Sequence, residues 1–241
     1  MRGYLSRLAG DLRRDAPEPA RGFGDALRAG PNLAVIAEIK RASPSEGGIA
    51  HDADVGATAV RYAEGGAAAM SVLVAERDFG GSLDDLRTAR ASAGLPALAK
   101  EFTVFPEQVA AQRTAGADAI LVLLALVSDA EAARLLRTAE LLGMDALVEA
   151  HTAAEVERAL GLEAAIVGVN ARDLESLQVD RDRQLELLAT LPATVTRVAE
   201  SGIASRADVE AAHEAGADAV LVGTSLMRRP ELLAELVRVP R

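Results

Sequence analysis

The chain has no cysteine and no tryptophan, and only 2% of its 241 residues are aromatic. Without Cys it can form no disulfide, no thiolate metal site and no cysteine nucleophile. Basic residues are also scarce: 26 Lys and Arg stand against 36 Asp and Glu, a formal net charge of −10. That balance disfavours nucleic acid and anionic membranes as main partners and fits a solvated exterior. Long apolar runs are missing too. The longest, Ala117 to Val127, is interrupted by Asp118 and is too short to span a bilayer. The opening Met1-Arg2-Gly3-Tyr4-Leu5 lacks the apolar run of a signal peptide. A protein of the reducing cytoplasm is expected.

What remains is an aliphatic chain. Half of it is hydrophobic, mostly Ala, Val and Leu, which suits helices packed around a buried sheet. The length can bury a substantial core as one large α/β domain. No low-complexity linker divides it, so residues 1–241 are expected to form one domain.

The chain also repeats itself. Gly116-Ala117-Asp118-Ala119-Ile120-Leu121 returns as Gly216-Ala217-Asp218-Ala219-Val220-Leu221. Weaker echoes begin at Gly65 and Gly161. Each repeat ends a helical pattern at Gly, a natural left-handed stop, and then enters a short β-branched run. Eight such runs are expected as strands, near 33–38, 69–73, 97–100, 118–123, 145–149, 165–169, 195–199 and 218–222. Amphipathic helices are expected between them, among them Glu107–Ala115, Asp129–Leu142, Ala153–Leu160 and Arg206–Ala215. Strands alternating with helices make βαβ units and a parallel sheet. Eight units in this length predict a (β/α)8 TIM barrel. An open doubly wound sheet is disfavoured, since no Gly-x-Gly-x-x-Gly follows the first strand. Residues 1–32, with Pro17, Pro19, Gly22, Gly24 and Pro31, read as a short N-terminal helical lead-in.

Barrel strands should be apolar, so charges at their C-terminal ends are informative, because barrel active sites lie there. Glu38 and Lys40 close the first strand and share a face by alternation. Lys100 ends the third, Glu149 the fifth, Asn170 the sixth and Glu200-Ser201-Gly202 the seventh. One such residue is equally well explained by a buried ion pair or a loop cap. Two Lys and three Glu at the same end of different strands point to a site, since burying them is costly unless they pair or bind something. Such neighbours perturb one another's protonation, as acid–base catalysis requires. Ser201-Gly202 and Gly223-Thr224 follow strands seven and eight, where barrels commonly bind phosphate on backbone N–H groups; Lys40 could add a charged contact. His51, His151 and His213 lie outside these ends and read as surface or cap residues with no metal-like clustering. Arg13-Arg14 and Arg228-Arg229 read as solvated faces.

These motifs resemble a known family. Ile36-Ala37-Glu38-Ile39-Lys40-Arg41-Ala42-Ser43-Pro44-Ser45 is similar to the first-strand signature of the indole-3-glycerol-phosphate synthases, barrel enzymes of tryptophan synthesis. The likeness continues through Phe79-Gly80-Gly81-Ser82, Lys100-Glu101-Phe102, Leu147-Val148-Glu149, Gly168 to Leu174, Ala199 to Ile203 and Leu221 to Met227. It implies that the substrate is 1-(2-carboxyphenylamino)-1-deoxyribulose 5-phosphate, closed to indole-3-glycerol phosphate with loss of CO2 and water, without metal or cofactor. It also implies roles. Lys100 matches the general acid at the carbonyl oxygen. Glu149 matches a carboxylate that moves a proton in the dehydration, with Asn170 beside it. Glu38 matches a carboxylate that steadies developing charge, and Lys40 a substrate-contacting lysine able to exchange acid duty with Lys100. Ser43, Glu200 and Ser201 match substrate contacts, and Arg172 could pair with the substrate carboxylate or Glu149. Phe79, Phe102 and Leu174 match the wall around the anthranilate ring. Lys40, Ser201, Gly202, Gly223 and Thr224 match the phosphate end.

The chain departs from the family pattern at Glu101, where Asp is usual, at Val74-Ala75, where Thr-Glu is common, and in a shorter lead-in. A paralogue serving another indole-producing pathway fits these departures. A phosphoribosylanthranilate-isomerase-like barrel and a non-catalytic binder of phosphorylated ligands are the other readings. The isomerase is disfavoured by the missing Cys and by Glu38 in the base position.

Overall fold

A computed structural model describes residues 6, 7, 10, 18–50 and 52–241 of the chain. Eight parallel strands close into a barrel, each hydrogen-bonded to its neighbour in sequence order. They are β1 (Ala34–Ile39), β2 (Ala69–Leu73), β3 (Ala97–Lys100), β4 (Ala119–Leu123), β5 (Asp145–Ala150), β6 (Ile166–Asn170), β7 (Thr196–Glu200) and β8 (Ala219–Val222). β8 pairs back onto β1, with Ala34 opposite Ala219. Every expected strand is present within one residue at each end, and the named helices agree as closely.

Alternation along the strands divides the apolar residues into two cores. In β1, Ala34 and Ile36 point into the barrel, while Val35, Ala37 and Ile39 pack outward against the helices. The interior is filled by Leu98, Leu121, Leu147, Ile166, Val198 and Leu221, all buried. Its floor is closed by the lead-in helix Phe23–Arg28, whose Phe23 and Leu27 are fully buried against that interior. Residues 1–5, 8, 9 and 11–17, with Arg13 and Arg14, lie outside the described residues, as does His51.

The sequence repeat has a physical meaning. Gly116 and Gly216 both sit at φ +97°, a conformation that stops the preceding helix and that glycine adopts without strain. The Asp two residues later ties its strand to the one before. Asp118 Oδ2 accepts from Ala97 N at 2.9 Å, and Asp218 Oδ2 from Arg197 N at 2.9 Å. Asp118 is fully buried, paired with buried Arg90 at 3.1 Å, and also accepts from Arg21 N. The Arg197–Asp218 pair, at 3.1 Å, is more exposed.

Several short elements lie outside the expected pattern, two of them beside the barrel mouth. A hairpin pairs Ala42–Ser43 with Gly47–Gly48 after β1, and a one-turn helix, Glu76–Phe79, follows β2. Both are too short to carry a period. Among the described residues no helix is long and apolar enough to cross a membrane.

Removing one partner of a buried ion pair strands the other charge. Asp118→Ala is expected to cost about 3 kcal/mol in urea unfolding, and Asp218→Ala clearly less. Equal losses would contradict the assignment of a buried and a half-exposed pair.

Candidate active site

Above the apolar layers, the inward-pointing residues become charged again at the C-terminal rim of the barrel. On β1, Glu38 follows Ile36 inward and is 5% exposed. Its Oε1 lies 3.2 Å from Lys40 Nζ, and Oε2 accepts from Ser71 Oγ at 3.3 Å. The space is left by Gly223: a Cβ there would stand 2.3 Å from Glu38 Oε1 and 3.2 Å from Lys40 Nζ.

Lys100, at the end of β3, occupies the centre. Its Nζ donates to Glu149 Oε2 at 2.9 Å and to Glu200 Oε2. Glu149 and Glu200 are both essentially buried. β6 contributes a gap between them. Gly168 stands in register with Glu149 and with Val198, and a Cβ on it would come within 2.0 Å of Glu200 Oε1. Two residues on, Asn170 Nδ2 donates to Glu149 Oε1 at 2.8 Å, and its Oδ1 accepts from Arg172 N at 2.9 Å. Gln184 braces the strands from outside, donating to the carbonyls of Val169 and Glu200.

Two carboxylates share one ammonium, so their protonation separates. Burial would raise Glu149, but Lys100, His151 and Asn170 hold it well below the usual range, as a carboxylate. Burial and the neighbouring Glu149 charge push Glu200 up to about 8, against the opposing pull of Lys100. Burial would lower Lys100, yet the charges of Glu149, Glu200 and Glu38 outweigh it and keep it protonated.

Above these groups opens a cavity of about 640 Å³. It is bordered by every residue expected at the site: Glu38, Lys40, Ser43, Phe79, Lys100, Phe102, Glu149, Asn170, Arg172, Leu174, Glu200, Ser201, Gly202, Gly223 and Thr224. One side is apolar. Phe79 and Phe102 meet edge to face with centroids 6.1 Å apart, and Phe102 and Leu174 remain 39% and 41% exposed toward it. The other side is backbone. Ser201 and Gly202 are consecutive left-handed residues, at φ +66° and +74°, and the Ser is an uncommon occupant of that region. Beside them the helix Thr224–Arg228 begins at Gly223, and Ser225 Oγ donates to Ile203 O at 2.8 Å, joining the two loops.

One expectation needs correction. His151 is buried, 5% exposed, with Nε2 3.3 Å from Glu149 Oε1. Two residues after an inward Glu149, the alternation of β5 still turns it inward, and that spacing was the signal for it. Arg228 is exposed, as expected, and also borders the cavity, its Nη2 2.6 Å from Glu46 at the hairpin tip. Arg172 gives a guanidinium hydrogen bond to the Leu177 carbonyl at 2.8 Å and borders the cavity. Of the departures from the family pattern, Val74 is buried, whereas Ala75 and Glu101 border the cavity. Among the described residues no group of three or more His, Cys, Asp or Glu is arranged to hold a metal ion.

The chain is similar to known proteins along nearly its full length. It is 50% identical over 202 residues to an indole-3-glycerol phosphate synthase of Mycolicibacterium vanbaalenii, covering 84% of this chain and 74% of that one. With the synthase of Micrococcus luteus it is 48% identical over 227 residues, 92% of this chain and 84% of that one. Among solved structures, an N-acetylmannosamine-6-phosphate 2-epimerase from Clostridium perfringens matches with a TM-score of 0.65 at 16% identity, covering 88% and 93% of the two chains. A thiamine phosphate pyrophosphorylase from Pyrococcus furiosus matches with 0.62 at 14%, covering 85% and 93%. At such identities these two speak for the barrel fold alone. The family profile for indole-3-glycerol phosphate synthase matches residues 5–239; with relatives near half identical, the chain belongs to the indole-3-glycerol phosphate synthase family.

Proposed function

We propose that this chain converts 1-(2-carboxyphenylamino)-1-deoxyribulose 5-phosphate to indole-3-glycerol phosphate, CO2 and water, with the rim residues in the following roles. The observation that carries them is the Lys100 ammonium, held by Glu149 and Glu200 at the closed end of a cavity with one apolar and one backbone-lined side.

The aromatic ring lies against Phe79, Phe102 and Leu174. Arg172, with one guanidinium nitrogen committed to Leu177, turns its other donors to the ring carboxylate. The phosphate takes the opposite side, at Ser201, Gly202, Gly223 and Thr224, with Lys40 as counter-charge and Ser43 on the hairpin above. Holding both ends brings the ring carbon that bears the carboxylate against the ribulose carbonyl, which removes much of the entropic part of the barrier. A carbon–carbon bond forms there as Lys100 gives its proton to the carbonyl oxygen. The bond to the carboxylate then breaks, CO2 leaves, and its electron pair restores the aromatic ring. In the last step the new hydroxyl takes a second proton, from Lys40, and departs as water while Glu149 takes a proton from the neighbouring carbon. Glu149 suits that task because it is held ionised and aimed by Asn170. Glu38, close to Lys40, steadies the positive charge that develops on the ring nitrogen. Glu200, largely protonated near neutrality, contacts the substrate without adding a second anion. A phosphorylated, membrane-impermeant substrate of this kind agrees with a cytoplasmic location.

The direct test is indole fluorescence developing from synthetic substrate; a folded protein without turnover would refute the reading. Lys100→Ala is expected to lower kcat about a thousandfold while leaving the far-ultraviolet circular dichroism unchanged. In Gly168→Ala the new methyl must displace the Glu200 carboxyl, so kcat is expected to fall about a hundredfold in a folded protein. Glu200 supplies a pH signature. Raising pH through about 8 removes its proton and adds negative charge beside an anionic substrate. KM should therefore rise above about pH 8 in the wild type and lose that rise in Glu200→Gln.

A further inference from the structure

One buried titratable side chain at the rim has no place in that scheme. His151 follows β5 with its imidazole wedged between two carboxylates. Nε2 lies 3.3 Å from Glu149 Oε1 and Nδ1 lies 3.6 Å from Glu155 Oε2. Glu155 belongs to the helix Ala153–Gly161 and is pinned in place, accepting from the His151 backbone N at 2.6 Å. The imidazole is 5% exposed, and neither ring nitrogen has a hydrogen-bond partner of good geometry. Charge is therefore what ties the ring to its neighbours.

The ring's protonation follows from that placement. A neutral imidazole has one N–H and one lone pair, so either tautomer would aim a lone pair at a carboxylate. Only the imidazolium offers a donor to both sides. The other groups that face it agree: Glu200 from β7 is a third acidic neighbour, Asn170 from β6 shares the same Glu149 oxygen, and Lys100 from β3 is bound to the far oxygen. Burial alone would favour the neutral ring, but these carboxylates hold its pKa above the ordinary histidine value.

We propose that His151 is a positioning residue for the reaction, an imidazolium that holds Glu149 ionised and oriented at Oε1 while Lys100 holds Oε2. It acts through Glu149 and does not border the cavity where substrate would lie. The proposal rests on the reading of Glu149 as the proton acceptor of the last step. Glu155 backs the imidazolium from the outer side, forming a carboxylate–imidazolium–carboxylate row that leads away from the cavity.

The test compares kcat and KM across pH in the wild type, Glu149→Gln, His151→Gln and His151→Leu, with the imidazole protons followed by NMR. The chain has three His, so the resonance lost in His151→Gln identifies the ring. In that variant a neutral amide replaces the cation, and Glu149 then needs a higher pH to stay ionised. The acidic limb of kcat should move upward by about one unit, while the loosened orientation of Glu149 should lower kcat at neutral pH about tenfold, with KM within about threefold. His151→Leu should show a larger shift in the same direction. In the wild type the His151 resonance should titrate above the ordinary histidine range, and Glu149→Gln should lower its midpoint. An unmoved acidic limb in folded His151→Gln, together with lost turnover in Glu149→Gln, would overturn the proposal alone. Full turnover in Glu149→Gln would overturn the reading of Glu149 and the proposal with it. Should His151→Leu not fold, His151→Gln and the wild-type titration still decide.

Discussion

One ammonium between two carboxylates organises the barrel mouth. Lys100, Glu149 and Glu200 are taken out of water together, which is tolerable only because each charge finds a partner. The triad leaves one negative charge too many for one lysine, and the surroundings choose where the proton goes. Glu149 has Asn170 and His151 as additional neighbours and stays ionised. Glu200, whose remaining oxygen is buried without a partner, is the one raised. The same arrangement explains why β6 carries Gly168 in an otherwise β-branched strand, since the Glu200 side chain occupies the space a methyl would fill.

The barrel therefore has two charged ends separated by apolar layers, and the ends do different work. At the floor, charges are fully committed to the backbone and to each other. Asp118 takes Ala97 N, Arg21 N and the Arg90 guanidinium, and Asp145 takes Gly24 N from the plug helix. None of these residues borders the cavity at the rim. At the rim, the charges face open volume and are only partly satisfied, which is the condition under which a ligand can complete them. Leu98, Leu121, Leu147 and Leu221 lie between the two ends and keep water from joining them.

Strands, helices and the charged rim could be read from the sequence because they obey a period or break one. A β-branched run every 25 residues or so marks a strand, and a Glu or Lys at its end is conspicuous against the apolar pattern. The Gly-Ala-Asp repeat was visible, although the bond it makes, from the Asp carboxylate to the previous strand, was not. What escaped has no periodic signature. The hairpin Ala42–Ser43 with Gly47–Gly48 is too short to show alternation. The Glu46–Arg228 pair joins residues from opposite ends of the chain, and only ring closure brings β1 beside β8. His151 lay within reach of the alternation rule but falls past the last hydrogen-bonded residue of β5, where the rule is not usually extended.

Both of the sequence's scarce residue classes, basic and aromatic, are represented at the cavity. A net charge of −10 would repel an anionic substrate if spread evenly, and the cavity border itself carries six glutamates beside Lys40, Lys100, Arg172 and Arg228, so the placement of each cation counts for more than the sum. Of these, Lys100 is neutralised by its own carboxylates, whereas Arg172 keeps guanidinium donors beyond the one given to Leu177. Screening confines distant surface charge to about 10 Å, so the local set decides what enters. The aromatic residues follow the same logic. Of four Phe in the chain, Phe23 closes the floor while Phe79 and Phe102 form the cavity wall. The edge-to-face pair leaves Phe102 39% exposed at the cavity, a surface that suits the flat ring of the proposed substrate.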